Sequence, residues 1–450
     1  MINVTPRIPY GKRGVVIFMN TDDLYKIYTD NPNIITDSRK ICPHSIFFAL
    51  KGEHFDGNDF AAQALASECN YAVVDRPEIA ADFRYILVDD VLSALPDLAR
   101  AHRKKLNIPL IAITGTNGKT TTKELIRCVL ETKYTVYATS GNLNNHIGVP
   151  LTILGIPPRT EIAIIEMGAN HAGEIKLLCD IAQPTCGLIT NIGKAHLEGF
   201  GGLEGVKQAK KELYDFLSEH EGMIFYHVEN PVLAGMIENT KAKTAGYGCK
   251  EPSNCWGRVL SASPYLKVEL YIGENSFPVA TNMAGVYNFE NLLAAACVGY
   301  RFSVPAHQIV SALADYTPQN SRSQVLCTAR NQLLLDYYNA NPTSMNESLN
   351  NFFGQIQGRK MVILGDMFEL GDEATQEHAA IVSLLLPHHD VTRIVVGKNF
   401  YEAAKDVTDI LAFSEIEELK NWLENHPPCG LFILVKGSRG MKLEQITDLL

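Results

Sequence analysis

The sequence predicts an α/β protein of three domains: a small α/β domain, a central doubly wound P-loop ATPase-like domain, and a Rossmann-like domain at the C-terminal end. Three observations carry this. The chain has 450 residues, about three times a typical domain of roughly 150. From residue 110 onward, apolar strand-like runs alternate with helical patterns, as in a mostly parallel sheet. Finally, a strand ends in Gly115-Thr-Asn-Gly118-Lys119-Thr120 and a helix follows, which is the layout of a phosphate-binding loop. Composition agrees: 46% hydrophobic and 20% charged residues exclude a disordered or collagen-like chain. The net charge of −10 argues against general affinity for nucleic acid or anionic lipid. No apolar run reaches the ~18 residues that a membrane span needs. Neither nucleic-acid binding nor membrane insertion is expected, and any phosphate must be held by a local site.

Residues 1–18 read as an N-terminal extension. Arg7, Lys12 and Arg13 precede only five apolar residues, 15–19, before Asp22 and Asp23. That is too short for an export signal, and no small-residue cleavage site follows. Leu24, Ile27 and Tyr28 then mark a helix opening after Met19. The first block, 19–106, carries strands over 45–50, 71–74 and 85–88 and a helix over 60–69. Asn107-Ile-Pro109 leads into the central block, 107–317. Its strands are expected over 110–114, 162–166 and 187–190, and its helices over 121–130, 173–179, 205–217, 289–298 and 306–314. Tyr316-Thr-Pro318 marks the last boundary, and 318–450 restarts the alternation. There the strands fall over 332–336, 360–364, 393–396 and 431–435, and the helices over 343–353, 373–386 and 416–424. No internal repeat is present. The ten cysteines form no Cys-x-x-Cys pair and no metal-finger spacing, so they read as reduced thiols of a cytoplasmic enzyme.

The glycines of 115–118 let backbone N–H groups close on phosphates, and the helix dipole adds positive charge there. Lys119 is placed to reach the terminal phosphates and Thr120 to ligate Mg²⁺. Ile113 stands where the full G-x-x-x-x-G-K-[ST] pattern has its first glycine. Glu166 ends the strand over 162–166, and the C-terminal ends of parallel strands face the ligand crevice. It is therefore placed to hold a second Mg²⁺ against ATP. His196 follows the strand over 187–190, where its spacing alone favours a structural histidine over a ligand. Lys210 and Lys211 read, on composition alone, as solvated helix charges.

Taken together these motifs resemble the Mur ligases, ATP-dependent amide-bond-forming enzymes of peptidoglycan synthesis and cell-wall biogenesis. Gly115-Thr-Asn-Gly-Lys-Thr120 matches that family's variant P-loop. Further matches are Asp37-Ser-Arg39, Phe47-Phe-Ala-Leu-Lys-Gly52-Glu, Asn142-Leu-Asn-Asn145 and Glu166-Met-Gly168. The last block adds Tyr338-Asn-Ala-Asn-Pro342, Leu364-Gly-Asp-Met367 with Glu369-Leu-Gly371, and Val435-Lys-Gly-Ser-Arg439. The resemblance covers residues from about 20 to the end.

The resemblance implies a ligase that adds D-alanyl-D-alanine to a UDP-N-acetylmuramoyl-tripeptide through an acyl phosphate. It implies ATP and two Mg²⁺ ions as cofactors, and a cytoplasmic monomer. Gly115, Thr116, Asn117, Gly118, Lys119, Thr120, Asn288, Asn291, Arg322 and Asp336 would bind ATP. Ser38, Arg39, Asn142, Asn145, Tyr338 and Asn341 would bind substrate. Thr120, Glu166, His196 and a carbamoylated Lys210 would serve the metals, with Lys119, Glu166, His196 and Lys210 as the catalytic set. Ser321 replaces the family's usual glycine before Arg322, and Leu335 the first of two usual aspartates. Two other readings compete. A folylpolyglutamate synthetase-like ligase shares the P-loop and modified lysine, but the first block carries a UDP-sugar signature. A P-loop switch protein would hydrolyse ATP without either co-substrate, and a kinase would leave a stable phosphorylated product.

Overall fold

The structure, a computed structural model, describes residues 17–250, 255–319 and 321–450. It divides into two compact units that do not follow chain order. The first takes in the chain up to Ala112 with Thr135–Gly168 and Glu174–Thr185. The second comprises Ile113–Tyr134, Ala169–Gly173 and Cys186–Leu450.

In the first unit, five parallel strands lie in the order Ile17–Phe18, Tyr85–Leu87, Tyr71–Val74, Ser45–Phe48 and Asn33–Ile35. Ser45–Phe48 is buried throughout, as a parallel strand covered on both faces must be. The helix expected after Met19 is Thr21–Asp30, and the Asn20 side chain caps it by accepting the Asp23 N–H at 3.0 Å. The helix expected over 60–69 is shorter, Ala61–Ala66, because a 3₁₀ turn over Gly57–Phe60 takes its first residue.

The expected extension also ends earlier than the sequence suggested. Residues 1–16 of it lie outside the described residues, but Ile17 and Phe18 pair with Ile86 and Leu87. The Met19 N–H then donates to the Leu87 carbonyl at 3.1 Å. A two-residue edge strand is too short for its alternation to be read.

The same unit holds Val136–Ala138, paired parallel with Ile162–Glu166. Ala163 and Thr185 donate backbone N–H groups to the carbonyls of Pro109 and Leu110. Its helices are joined by buried polar contacts. Tyr28 donates its hydroxyl to the Leu154 carbonyl at 2.6 Å. The buried Arg103 guanidinium donates to the carbonyls of Ala182 at 2.7 Å, Gln183 at 3.0 Å and Leu106 at 2.7 Å. A cation at the end of helix Glu174–Ala182 satisfies orphan carbonyls and the helix dipole together.

In the second unit, Cys186–Ile189, Met223–His227 and Lys243–Gly248 pair successively in parallel. Cys255–Ser261 adds two parallel pairs and then turns antiparallel against Lys267–Ile272, which pairs in turn with Asn275–Ala280. This antiparallel extension was not expected from the doubly wound pattern. Its middle strand, Lys267–Ile272, alternates buried and more exposed residues, as a sheet covered on one face does.

A six-stranded sheet follows, in the order Gln324–Cys327, Gln332–Asp336, Phe432–Lys436, Lys360–Gly365, Val391–Val396 and Leu411–Phe413. Only the first strand is antiparallel to its neighbour, so this is the Rossmann-like layout expected. Alternate strand residues feed two cores: Leu334, Val362, Leu364 and Leu434 join one, and Leu333, Leu335, Ile363 and Ile433 the other.

Candidate active site

The phosphate loop belongs to the second unit. Gly115 (φ 140°) and Gly118 (φ 79°) hold backbone conformations that side chains disfavour, and Gly118 caps helix Lys119–Glu131. A Cβ on Gly115 would sit 2.0 Å from Thr190 Oγ1, and one on Gly118 would sit 2.7 Å from Asn291 Oδ1. Both glycines are thus required by close packing as well as by torsion.

The loop is pinned from the next strand end. Thr116 N–H donates to the Asn191 carbonyl at 3.0 Å, and Asn117 N–H to Asn191 Oδ1 at 2.9 Å. Thr190 Oγ1 donates to the Asn117 carbonyl at 2.5 Å. Lys119 Nζ arches over the loop, donating to the carbonyls of Gly115 (2.7 Å) and Thr116 (3.0 Å). Thr122 Oγ1 donates to Asn291 Oδ1 at 2.9 Å, and Asn291 Nδ2 to Asn288 Oδ1 at 2.9 Å. Asn288 and Asn291, both buried, therefore brace the first turn of the loop's helix.

The last block meets this loop within the same unit. Asn341 Nδ2 donates to Asn117 Oδ1 at 2.7 Å, while Asn341 Oδ1 caps helix Pro342–Gln355 through the Ser344 N–H. His196 (φ 51°) places Nδ1 2.5 Å from Glu369 Oε2, and this contact holds the Glu369 carboxyl below its usual range, against the opposing effect of burial. Lys194 Nζ pairs with Glu377 Oε1 at 2.5 Å. The Arg322 guanidinium lies 3.7 Å from the Tyr338 ring centroid. Asp336 accepts the Ser323 N–H at 3.2 Å and pairs with the buried Lys436 Nζ at 2.5 Å. Ser321 holds φ 55°, a left-handed conformation to which glycine is better suited.

Lys210 is buried, its Nζ 3.3 Å from the Ala169 carbonyl and 5.2 Å from the Phe200 ring centroid. It lies on helix Leu203–Glu219, on the stripe formed by Val206, Ala209, Leu213, Tyr214 and Leu217. The solvated reading of Lys210 is therefore corrected. Lys211, next along the helix, forms a partly exposed ion pair with Asp215.

The first unit holds the remaining expected residues. Glu166 is buried. Its Oε1 accepts Asn144 Nδ2 at 2.9 Å and its N–H donates to Thr139 Oγ1 at 3.0 Å. Asn145 Oδ1 accepts the N–H groups of Ile147 (3.2 Å) and Gly148 (2.8 Å) at the start of helix Gly148–Leu154. The Asn142 carbonyl accepts the Asn144 N–H at 2.8 Å. Ser38 and Arg39 form a short 3₁₀ turn. There Arg39 grips Asp37 with two side-chain hydrogen bonds at 2.8 and 2.9 Å, lowering the Asp37 carboxyl to about 2.

Three polar residues in this machinery escaped the sequence reading: Asn144, Lys436 and Glu369. Each lies inside a motif already singled out, so the motif was the signal and the contact the missing piece. The donors fit a nucleoside triphosphate, because Gly115 and Gly118 bring the backbone close without a Cβ, a helix N-terminus opens onto the loop and a lysine lies over it. These features define a P-loop nucleotide-dependent enzyme.

Comparison with known proteins narrows the class. Residues 32–110 match the Mur ligase family catalytic domain, 113–299 the Mur ligase middle domain, and 321–439 the Mur ligase glutamate ligase domain. The UDP-N-acetylmuramoyl-tripeptide–D-alanyl-D-alanine ligase of Bacillus subtilis is 35% identical over 428 residues, covering 92% of each chain. The crystal structure of MurF from Acinetobacter baumannii aligns with a TM-score of 0.84 at 33% identity over 93% of both chains. MurF ligase from Thermotoga maritima, in complex with ADP, aligns with a TM-score of 0.83 at 26% identity, covering 93% of this chain and 97% of that one. The chain belongs to the Mur ligase family and is an ATP-dependent, ADP-forming ligase. Among the described residues no helix is long and apolar enough to cross a membrane.

Proposed function

We propose that this ligase joins D-alanyl-D-alanine to UDP-N-acetylmuramoyl-tripeptide in the cytoplasm, acting as a monomer. The observation that carries this reading is that the likeness to ligases of that name spans 92% of both chains, first block included. That block is what a folylpolyglutamate synthetase-like reading leaves unexplained. We take the domains as 19–106, 107–317 and 318–450, in keeping with the three family matches.

The chemistry begins with a poor acyl donor. The tripeptide carboxylate attacks the γ-phosphorus of ATP, forming a C–O–P bond and releasing ADP. The amine of D-alanyl-D-alanine then attacks the acyl carbon, an amide forms, and phosphate leaves with the former carboxylate oxygen. Anionic partners must meet in the first step, so Lys119 and the loop N–H groups offset their repulsion. Asn288 and Asn291 hold the loop's helix in place, while Arg322 and Asp336 take the nucleotide from the last block. Ser38 and Arg39 serve the UDP end of the substrate, Asn142 and Asn145 bind the substrate in the central block, and Tyr338 and Asn341 serve the incoming dipeptide.

Thr120, Glu166, His196 and Lys210 form the set assigned to magnesium. When bound, the two ions supply charge neutralisation to the phosphates. Lys210 fits this role as a carbamate. A bare ammonium beside divalent cations is repelled, whereas a neutral amine captures CO₂, forming an N–C bond and releasing a proton. The product is an anion. The burial of Lys210 fits a modified group sheltered from bulk water. The test is ADP release with each co-substrate omitted in turn. ADP should form only when tripeptide and dipeptide are both present. Steady ATP hydrolysis without them would mark a switch protein, and a stable phosphorylated product a kinase.

A further inference from the structure

A second cluster of ligand-type side chains includes none of the residues assigned above. Met223–His227 and Lys243–Gly248 are neighbouring parallel strands, with His227 paired in register with Tyr247. Their C-terminal ends therefore bring His227, Glu229 and Cys249 side by side. A ring nitrogen of His227, the Cys249 Sγ and a Glu229 carboxylate oxygen all lie within 4.8 Å of one another. His227 is 7% exposed, and its Nε2 makes no hydrogen bond. That nitrogen is 3.3 Å from Glu229 Oε2. A buried ring nitrogen without a hydrogen bond is a costly arrangement that a ligand would relieve.

The surroundings hold the set in place. Both Glu229 carboxylate oxygens accept the Cys249 N–H, at 2.9 and 3.0 Å, so the acid is tied to the backbone of the residue that carries the thiol. The Tyr247 ring packs against the imidazole, 5.7 Å between centroids. A Cβ at Gly248 would sit 2.0 Å from Glu229 Oε2, so the glycine makes room for the carboxylate.

We propose that His227, Glu229 and Cys249 bind a zinc-class divalent ion, with a fourth position left for water. The donor set selects it: a thiolate and an imidazole beside one carboxylate favour Zn²⁺ over Mg²⁺, and three protein ligands leave a tetrahedral ion open at one position. Sequence spacing hides such a site, because the ligands come from the ends of two strands and not from one finger.

The probe is Co²⁺, titrated into the full chain after chelation, with excess Mg²⁺ present to occupy the magnesium set. That set contains no cysteine, so a thiolate-to-cobalt charge-transfer band reports this cluster. We expect the band to saturate at one equivalent and to vanish in Cys249→Ser. Binding should weaken at least about tenfold in His227→Gln and Glu229→Gln. Zn²⁺ should displace the cobalt and protect Cys249 from alkylation in the unmutated chain, read by peptide mass spectrometry. This last measurement holds even if a variant fails to fold. No band under excess Mg²⁺, a band surviving in Cys249→Ser, His227→Gln binding like the parent, or Cys249 alkylated equally with and without Zn²⁺ would each overturn the site.

Discussion

Two faces of one helix put the same side chain to opposite uses. On helix Leu203–Glu219, Lys210 is buried against the Ala169 carbonyl and the Phe200 ring, while Lys211 forms a partly exposed pair with Asp215. One residue turns the side chain about 100°, and that rotation separates an assigned metal-organising group from a surface charge. Burial, not residue type, carries the information. A lysine is almost never fully buried without a reason, and here the reason proposed is that it is no longer a cation.

That contrast is sharpened first by a third lysine whose task requires positive charge. Lys119→Ala should lower kcat about a thousandfold, measured by coupled ADP release, with an unchanged melting temperature. Added acetate or formate should restore nothing, because the missing group is a cation. Lys210→Ala should lose at least about a hundredfold, and there a short carboxylic acid should return part of the rate by supplying an anion in the vacated space. Acid rescue of Lys119→Ala as well would place the acid's effect elsewhere and break the comparison. Lys211→Ala should give the smallest effect. An i,i+4 surface pair contributes about 0.3–0.5 kcal/mol, so activity should stay within about twofold of the parent. Equal losses at 210 and 211 would mean that the helix register has been assigned to the wrong lysine.

How much of this was legible in the sequence depends on how local the signal is. Leu110–Thr114, Ile162–Glu166 and Gln332–Asp336 coincide with the strands expected, because each is an apolar run bounded by turn chemistry. The phosphate loop was legible for the same reason: its glycines, lysine and threonine are consecutive. The burial of Lys210 was within reach too, since Val206, Ala209, Leu213, Tyr214 and Leu217 fall at helical spacing on its own side. Composition hid what periodicity revealed. By contrast, the contact of His196 with Glu369 joins residues far apart in the chain, and nothing local to either predicts it. The same holds for Asn117 and Asn341. The edge strand Ile17–Phe18 was missed because two paired residues show no alternation, and the antiparallel strands from Cys255 to Ala280 because half-exposed strands lack the continuous apolar run of a central parallel strand.

The central claim is that this chain activates a carboxylate by phosphorylating it, and isotope transfer tests that most directly. UDP-N-acetylmuramoyl-tripeptide labelled with ¹⁸O in both oxygens of its reacting carboxylate should be turned over with ATP and D-alanyl-D-alanine. Each inorganic phosphate released should then carry one ¹⁸O, with the other retained in the new amide carbonyl. Phosphate that emerges unlabelled while amide accumulates would contradict the acyl-phosphate route.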